Sequence, residues 1–469
     1  MIATRNRLIR LWPLLALLLA GPVRAFELEM GAVTLNDTFT TPSWTSVTFL
    51  QPFSSTPLVF ALPTTDGSDP STLRIRNVTT SGFQVLQVEP SANDGPHVAM
   101  PTAYLAIEPG DHVLPDGSRV VAFEHVTTSF AARFISTAWD SLTFPTAFST
   151  TPAMLGSIQT INNESGNPPN TSSIPFMDVG LRNITTSSFQ VTLERAESSA
   201  GSVTTPERIA ILAIDNAANT TFVDAFSNTI QLQSLRTPAN IQGFSNGCFI
   251  NGYATGFSNT PLAVASANTR NGNNGGWVRR CSQSAGSIGL TIDEDIDNDA
   301  ERNHTNESAG VVAASRAFHA NFEVDLVTSK SVETLSDPVN LTNDPKAIPL
   351  AVVGYTISIT NNGSLSPDNN SLIITDDIPD ELALCITAAC LPGGPIVLDT
   401  TGSPVPPGVT IGSIEYDDGS GTFSYPGDPD GDGFDPDIDA VRITLSGTLA
   451  SIGTSGAPSF ELLLAARVE

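Results

Sequence analysis

The residues best suited to chemistry form an acidic loop, GDPDGDGFDPDID, at Gly427–Asp439. Its acids stand at the spacing with which a calcium loop presents oxygen ligands; they are Asp428, Asp430, Asp432 and Asp439. Gly433 permits the sharp turn, but Pro436 removes a side-chain ligand at the ninth position, and strand-like segments flank the loop. A calcium loop between strands and a solvated acidic turn therefore both remain open.

Two further motifs carry weaker signals. The acidic run DEDIDNDAE, Asp293–Glu301, lacks a glycine turn and predicts a solvated loop. GFSNG, Gly243–Gly247, matches G-x-S-x-G literally, but a nucleophile elbow needs a strand that leads into a helix, and no helical pattern follows. With five scattered histidines and no phosphate-binding glycine loop, the sequence predicts no enzyme.

The cysteines indicate disulfides rather than a metal site, because no zinc-type spacing is present. Four cysteines allow three pairings, and the local one joins residues within one predicted domain. That pairing is Cys248 with Cys281 and Cys385 with Cys390.

The N-terminal segment predicts export. Arginines precede an apolar run at Leu11–Ala20, and Val23-Arg24-Ala25 favours cleavage of a signal peptide after Ala25. Without the four leader arginines, 17 basic residues face 48 acidic ones. Such a charge disfavours nucleic acid and anionic lipid as partners, and no later apolar run is long enough for a membrane span.

Short runs rich in Val, Ile, Thr and Phe, separated by Gly, Pro, Asn and Ser, predict an all-β protein of sandwiches. The phrase FSSTPL recurs as FSTTPA and FSNTPL, about a hundred residues apart. Its Phe and Pro are expected to mark the turn between two core strands. Trp44, Trp139 and Cys248 each precede the phrase by nine residues, so a disulfide is expected to replace aromatic packing in the third copy.

Two later anchors repeat with nearly constant spacing. RNVTTSGFQV and RNITTSSFQV match each other, with IGLTI as a weaker third copy, and YLAIE, ILAID and VVAAS follow. Phe83, Phe189 and Leu290 precede Ala106, Ala213 and Ala313 by 23, 24 and 23 residues. Constant spacing predicts that each copy builds the same strands, and copy two absorbs the insertion NNESGNPPNTS in a loop.

The first copy resembles the H-type lectins, which bind N-acetylgalactosamine and related sugars. The resemblance rests on VTFLQPFSSTPLVFALPTTD, TLRIRNVTTSGFQ and AYLAIE, in the family's order, and it implies a six-stranded antiparallel sandwich. It also implies a sugar site built from an aspartate, an arginine and a histidine, matched here by Asp37, Arg74 and His97. His97 also reads as an ordinary loop histidine, and Gly180 and Cys281 are expected at the Arg74 position of copies two and three.

The last section resembles an immunoglobulin-like repeat domain of unknown function from bacterial surface proteins. DPVN, PKAIPLAVVGYTISITNNG and IITDDIPDEL carry the match, with Leu350 where that family prefers glycine. The expected architecture is all-β: three tandem six-stranded antiparallel β-sandwich domains plus a C-terminal immunoglobulin-like β-sandwich. The expected boundaries are a signal peptide at 1–25, copies at 26–125, 126–231 and 232–322, and the C-terminal domain at 323–469.

Together these patterns predict an exported bacterial protein of the extracellular space or outer cell surface, non-enzymatic, that binds glycans or mediates adhesion. The expected partners are glycans or glycoproteins, with a homotrimer of the family's kind and calcium as further expectations. The alternative is a structural surface or matrix protein whose lectin-like copies are spacers without sugar binding.

Overall fold

The computed structural model describes residues 17–19, 25–38, 43–90, 97–133, 135, 137–164, 173–453 and 455–469. Most of the predicted signal peptide and the 165–172 part of the insertion lie outside the described residues. The structure is all-β, with antiparallel sheets, as predicted. Phe26–Phe322 forms one compact unit, and Glu323–Glu469 belongs to a second, together with strand Leu17–Leu19.

The strands are short, as the turn residues between them predict. Through residue 322 they are β1 (Leu17–Leu19), β2 (Phe26–Leu35), β3 (Thr45–Thr48), β4 (Leu58–Leu62), β5 (Thr72–Thr79), β6 (Gly82–Val88), β7 (Met100–Ile107), β8 (Gly110–Val113), β9 (Arg119–Thr127), β10 (Phe130–Ala131), β11 (Asp140–Thr143), β12 (Ala153–Ile158), β13 (Asp178–Arg182), β14 (Ser188–Glu194), β15 (Glu207–Ile214), β16 (Asn219–Val223), β17 (Thr229–Arg236), β18 (Phe249–Gly252), β19 (Leu262–Ala267), β20 (Trp277–Gln283), β21 (Ser287–Asp293), β22 (Ala309–Ala314) and β23 (Phe318–Phe322). A 3₁₀ turn, η1, covers Phe244–Asn246. The second unit holds β24 (Leu326–Ser336), β25 (Val352–Asn361), β26 (Ile373–Asp377), β27 (Leu382–Cys385), β28 (Val397–Asp399), β29 (Val409–Asp417), β30 (Phe434–Asp435), β31 (Ala440–Gly447) and β32 (Ser459–Val468).

One sheet order occurs three times in the first unit. The four-stranded sheets run β23-β2-β7-β4, β8-β9-β15-β12 and β16-β17-β22-β19. In the second and third sheets the outer strand directly precedes its neighbour in the chain. In the first sheet the outer strand is β23, so Phe26 at the start of the unit pairs with Phe322 at its end. Strand β9 occupies the place in its sheet that β2 occupies in the first sheet.

Each repeat adds a second sheet with three corresponding strands, in the orders β3-β6-β5, β11-β14-β13 and β18-β21-β20. In the second repeat β10 also pairs with β14, in parallel. Strand register aligns the copies: Val47 faces Phe83, Leu142 faces Phe189, and Asn251 faces Ile288. Ile288, not the expected Leu290, therefore corresponds to Phe83. The sequence spacing misled because the connection from β21 to β22 is longer: Ile288 precedes Ala313 by 25 residues, whereas Phe83 precedes Ala106 by 23.

The recurring phrase has the turn role that the sequence predicted. Phe53, Phe148 and Phe257 each follow the first of the three corresponding strands, and their N–H groups donate to Thr80, Thr186 and Ala285 carbonyls at 2.8 Å. Each ring packs edge-on against the aromatic ring four residues earlier, with centroids 4.9, 4.9 and 5.0 Å apart. The phenylalanine of the phrase therefore contributes both a ring to the core and a backbone hydrogen bond to the adjacent turn.

The predicted exchange of aromatic packing for a disulfide also holds. Arg76 lies over the Trp44 ring at 4.0 Å, and Arg182 lies over the Trp139 ring at 4.0 Å. In the third repeat Cys248 bonds to Cys281 instead. The second predicted pair, Cys385–Cys390, is present as well.

The three repeats converge on the equivalent strands β4, β12 and β19, each of which contacts the other two. The equivalent positions Ala61, Gly156 and Ala265 line one small cavity of about 30 Å³ at this convergence. The repeats are thus packed around a common centre, which explains why they form one compact unit rather than three separate ones.

The second unit contains a sheet of order β24-β25-β32-β27-β30, with β28 added beside β32, and a sheet of order β1-β26-β31-β29. Their alternating apolar residues share a core that includes Ile357, Ile374, Val441 and Leu462. Leu350 adopts φ +67°, a conformation that suits glycine better than leucine.

Candidate functional site

The structure places Arg74 inside the protein, between the first and second repeats. Its side chain has no exposed surface, and its Nε lies 2.7 Å from Glu164 Oε1. Its Nη2 donates to the Thr160 carbonyl at 2.8 Å. A sugar hydroxyl could reach this guanidinium only by displacing Glu164.

His97 is also buried, and Asp37 lies at the surface. The His97 ring contacts Ser71 Oγ at 3.2 Å and the Val98 carbonyl at 3.0 Å. Burial lowers the pKa of His97, so the ring is neutral at pH 7. Of the three predicted sugar ligands, only Asp37 is exposed in this structure.

An arginine that corresponds to Arg74 also joins the third repeat to the first. Strand register aligns Arg74 with Arg279 and Gly180, because they face Leu86, Thr291 and Thr192. Arg279, rather than the expected Cys281, thus occupies the third-repeat position. It donates to the Thr64 carbonyl at 2.9 Å and the Asp69 carbonyl at 2.8 Å in the first repeat.

At the junction between the second and third repeats, the arginine is supplied by the third repeat. Gly180 leaves room beside Glu194, and Arg270 of the third repeat reaches Glu194 Oε2 at 2.6 Å. Each of the three junctions therefore contains a buried or nearly buried arginine, although its position in the chain changes. The protein thus uses these arginines to assemble its repeats.

The acidic run at Asp293–Glu301 was expected to be a solvated loop, and this expectation is wrong for its first three residues. Asp293, Glu294 and Asp295 are almost completely buried. Asp293 pairs with Arg279 and Arg302, which compensate its charge. Arg302 directly follows the acidic run, whereas Arg279 comes from the preceding strand β20.

The two following acids make the same region pH-sensitive. Asp295 accepts the Glu197 N–H at 2.7 Å and the Ser198 N–H at 3.1 Å, and burial raises its pKa to about 7. His304 lies between Glu294 and Glu307. Burial disfavours its charged form, but hydrogen bonds to these two carboxylates outweigh that effect and raise its pKa to about 9.

The candidate calcium loop is organised by backbone hydrogen bonds. Asp430 Oδ1 accepts the Asp432 and Phe434 N–H groups at 2.9 and 3.0 Å, and its Oδ2 lies 2.6 Å from Arg467. Buried Asp435 accepts the Asp428 N–H at 2.6 Å. Across the described part of the chain, no three His, Cys, Asp or Glu side chains form a group suited to a metal ion. Calcium binding by Asp428, Asp430, Asp432 and Asp439 stays a prediction.

The G-x-S-x-G segment does not have the local structure of a nucleophile elbow. Its central residues form the 3₁₀ turn η1, and the Ser245 N–H donates to the Arg302 carbonyl at 3.1 Å. A strand, β18, follows it instead of a helix.

An open cleft lies between the first and second repeats, and sequence reasoning missed it. Its volume is about 440 Å³, and its walls come from the ends of β4 and β5 on one side and from β9, β12 and β15 on the other. A second hollow of about 400 Å³ adjoins it, and Pro109 and Phe123 line both. Together they form a groove around the half-buried Phe123 ring.

The groove combines an apolar surface with polar groups. Val78, Pro57 and Phe123 provide the apolar part. Arg208 Nε donates to Glu124 Oε2 at 2.7 Å at its edge, and 54% of the Arg208 side chain is exposed. Register places Gly31 and Leu235 at the positions equivalent to Phe123, so only this junction has the aromatic ring.

No protein-family model, no curated protein and no solved structure matches the chain. The described residues include no helix that is long and apolar enough to cross a membrane.

Proposed function

We propose that this chain is an exported, non-enzymatic adhesion protein that binds carbohydrate in the groove around Phe123. In this proposal three lectin-like sandwiches form a single-chain assembly, and an immunoglobulin-like sandwich follows. The observation that supports it best is the groove itself, in which one aromatic ring lies beside a pair formed by exposed Arg208 and partly buried Glu124.

The chemistry of the groove suits a sugar. An aromatic ring can pack against the apolar C–H face of a pyranose, whereas charged planar groups bind its hydroxyls from the edge. Arg208 donates only, and Glu124 accepts only, so the pair can satisfy hydroxyls of both polarities. Small apolar pockets with a few polar groups are the usual form of a ligand site.

The test is a glycan array probed with the exported protein, followed by titration calorimetry on the best ligand. Phe123→Ala is expected to weaken binding at least about tenfold, which corresponds to 1.4 kcal/mol. Phe226→Ala is the matched control, because Phe226 is 46% exposed and does not line the groove. Binding that survives Phe123→Ala would reject this site.

The second candidate function is structural: the lectin-like repeats act as spacers of a surface or matrix protein. The burial of Arg74 against Glu164 and of His97 favours it, because two of the three predicted sugar ligands are used for packing. An array without any bound glycan would support this alternative.

The proposed location is the extracellular space or the outer cell surface. The two disulfides fit an oxidising compartment.

A further inference from the structure

Strand β24 forms an edge of the second unit. It pairs with β25 from Leu326 to Ser336, with one register shift at Leu335, and in the part of the chain that the structure describes it has no strand on its other side. At 11 residues it is one of the longest strands of the chain. A long open edge presents a row of backbone donors and acceptors that another strand can pair with.

The exposed apolar side chains of this unit lie on this strand and on the segment that follows it. Among the described residues of the unit, every large apolar side chain with high exposure falls between residues 327 and 350. They are Val327, Val332, Leu335, Val339, Leu341 and Leu350. Apolar exposure that is confined to one edge is typical of an interaction surface.

The edge also lacks the charges that usually prevent strand pairing. Lys330, its only basic residue, turns to Asp376, with its Nζ 2.7 Å from both carboxylate oxygens, and lies over the Tyr355 ring. Glu333 is the one remaining charged residue of the strand. Natural edge strands normally carry outward lysines for protection.

We infer that β24 pairs antiparallel with β24 of a second copy of this chain, about a twofold axis at Ser331. In this register Val327 of each copy faces Leu335 of the other copy, so these two exposed apolar side chains cover each other. Glu333 faces Ser329, and Lys330 faces Val332, so no like charges oppose each other across the pair. The contact is isologous and closes at two copies.

A one-residue shift would place outward side chains opposite inward ones, because side chains alternate along a strand. The alternation is visible here: Val327, Ser329, Ser331, Glu333 and Leu335 are exposed, and of the residues between them only Val332 is exposed as well. The twofold register centred on Ser331 keeps all five on one face and pairs the full length of the strand. This inference does not depend on carbohydrate binding.

Disulfide trapping tests the register directly. Ser331→Cys is expected to form an intermolecular disulfide in the full chain, since the two introduced thiols would lie opposite each other across the twofold axis, within disulfide reach. Ser329→Cys is the matched control on the same exposed face. In this register its two copies lie about 14 Å apart, too far to bond. The native cysteines do not interfere, because all four are disulfide-bonded.

Trapping of Ser331→Cys alone supports the proposal. Equal trapping of both variants, or trapping of Ser329→Cys alone, would overturn the register. Sedimentation equilibrium then tests the dimer itself: Val327→Lys with Leu335→Lys should weaken association at least about tenfold. Val126→Lys, at a valine that is 54% exposed in the other unit, should leave it unchanged. A wild-type chain that stays monomeric at a concentration of about 0.1 mM would reject the proposal.

Discussion

Gln159 of the second repeat binds both backbone groups of Val59 in the first repeat. Its Nε2 donates to the Val59 carbonyl at 2.8 Å, and its Oε1 accepts the Val59 N–H at 3.2 Å. Asn268 of the third repeat binds Met154 of the second in the same way: its Nδ2 donates to the Met154 carbonyl at 2.8 Å, and its Oδ1 accepts the Met154 N–H at 3.0 Å. An amide side chain thus continues the backbone hydrogen bonding of a neighbouring strand.

Replacing Gln159 by leucine should therefore destabilise the first unit by about 1–3 kcal/mol, because it leaves two buried backbone groups of Val59 without partners. Urea unfolding followed by tryptophan fluorescence measures this. Gln51→Leu makes the same chemical change at an exposed position and should have little effect. Equal loss in both variants would contradict the role of Gln159.

Arg74→Met should cost about 3–5 kcal/mol, since it leaves Glu164 buried without its cation. Adding Glu164→Met should recover part of this loss, because the uncompensated charge is then gone. A double-mutant cycle on the unfolding free energy measures the coupling. If Arg74→Met leaves stability unchanged but abolishes glycan binding, the sugar role predicted from the sequence is restored instead.

Stability should fall from pH 5 to pH 9. Asp295 keeps its proton in the folded state up to about pH 7, whereas the unfolded chain loses it near 3.8, so its contribution declines between these values. His304 stays charged up to about 9 in the folded state, so its contribution is complete below 6.5 and is lost as the pH rises to about 9.

The check is the urea midpoint at pH 5, 7 and 9. Asp295→Asn should flatten the change between pH 5 and 7, and His304→Gln the change between pH 7 and 9. A wild-type midpoint that rises across this range would contradict both assignments.

Removing the Cys248–Cys281 disulfide should cost about 4 kcal/mol by the loop-entropy relation, against about 2 for Cys385–Cys390, because the first closes a longer loop. Paired Cys→Ala variants and urea unfolding test the order. In the third repeat, Cys248→Trp with Cys281→Ala and Ser282→Arg should recover about 0.5–1 kcal/mol by recreating the tryptophan–arginine pair of the other repeats. Cys248→Trp with Cys281→Ala alone is its control.

Leu350→Gly should stabilise the second unit by about 0.5–1 kcal/mol, since φ +67° strains a leucine and not a glycine. Thermal unfolding by calorimetry measures it. Leu335→Gly, in an extended strand, should instead destabilise.

The sequence predicted features whose signal is local. The alternation in RNVTTSGFQV, the spacing from Trp44 to Phe53 and the Cys248–Cys281 disulfide each lie within one repeat, and Cys385–Cys390 lies within the second unit. The structure confirms the all-β class, the turn role and the two pairings. The groove, the burial of Arg74 and the burial of Asp293–Asp295 depend on residues about 90 or more positions away in several cases. Such long-range pairings leave no periodic pattern in a single sequence. The sequence therefore suggested Arg74 as a sugar ligand, whereas in the structure it pairs with Glu164 of the neighbouring repeat.

The pairing of β2 with β23 also bears on how the chain matures. Strand β2 is synthesised early, but its outer edge is covered only by β23, at residues 318–322. By contrast, β9 and β17 pair with β8 and β16, the strands that directly precede them in the chain. Contacts so distant in sequence form slowly, and uncovered strand edges in the meantime favour misassembly. Synthesis of the whole first unit must therefore be finished before the outer edge of its opening strand can be covered.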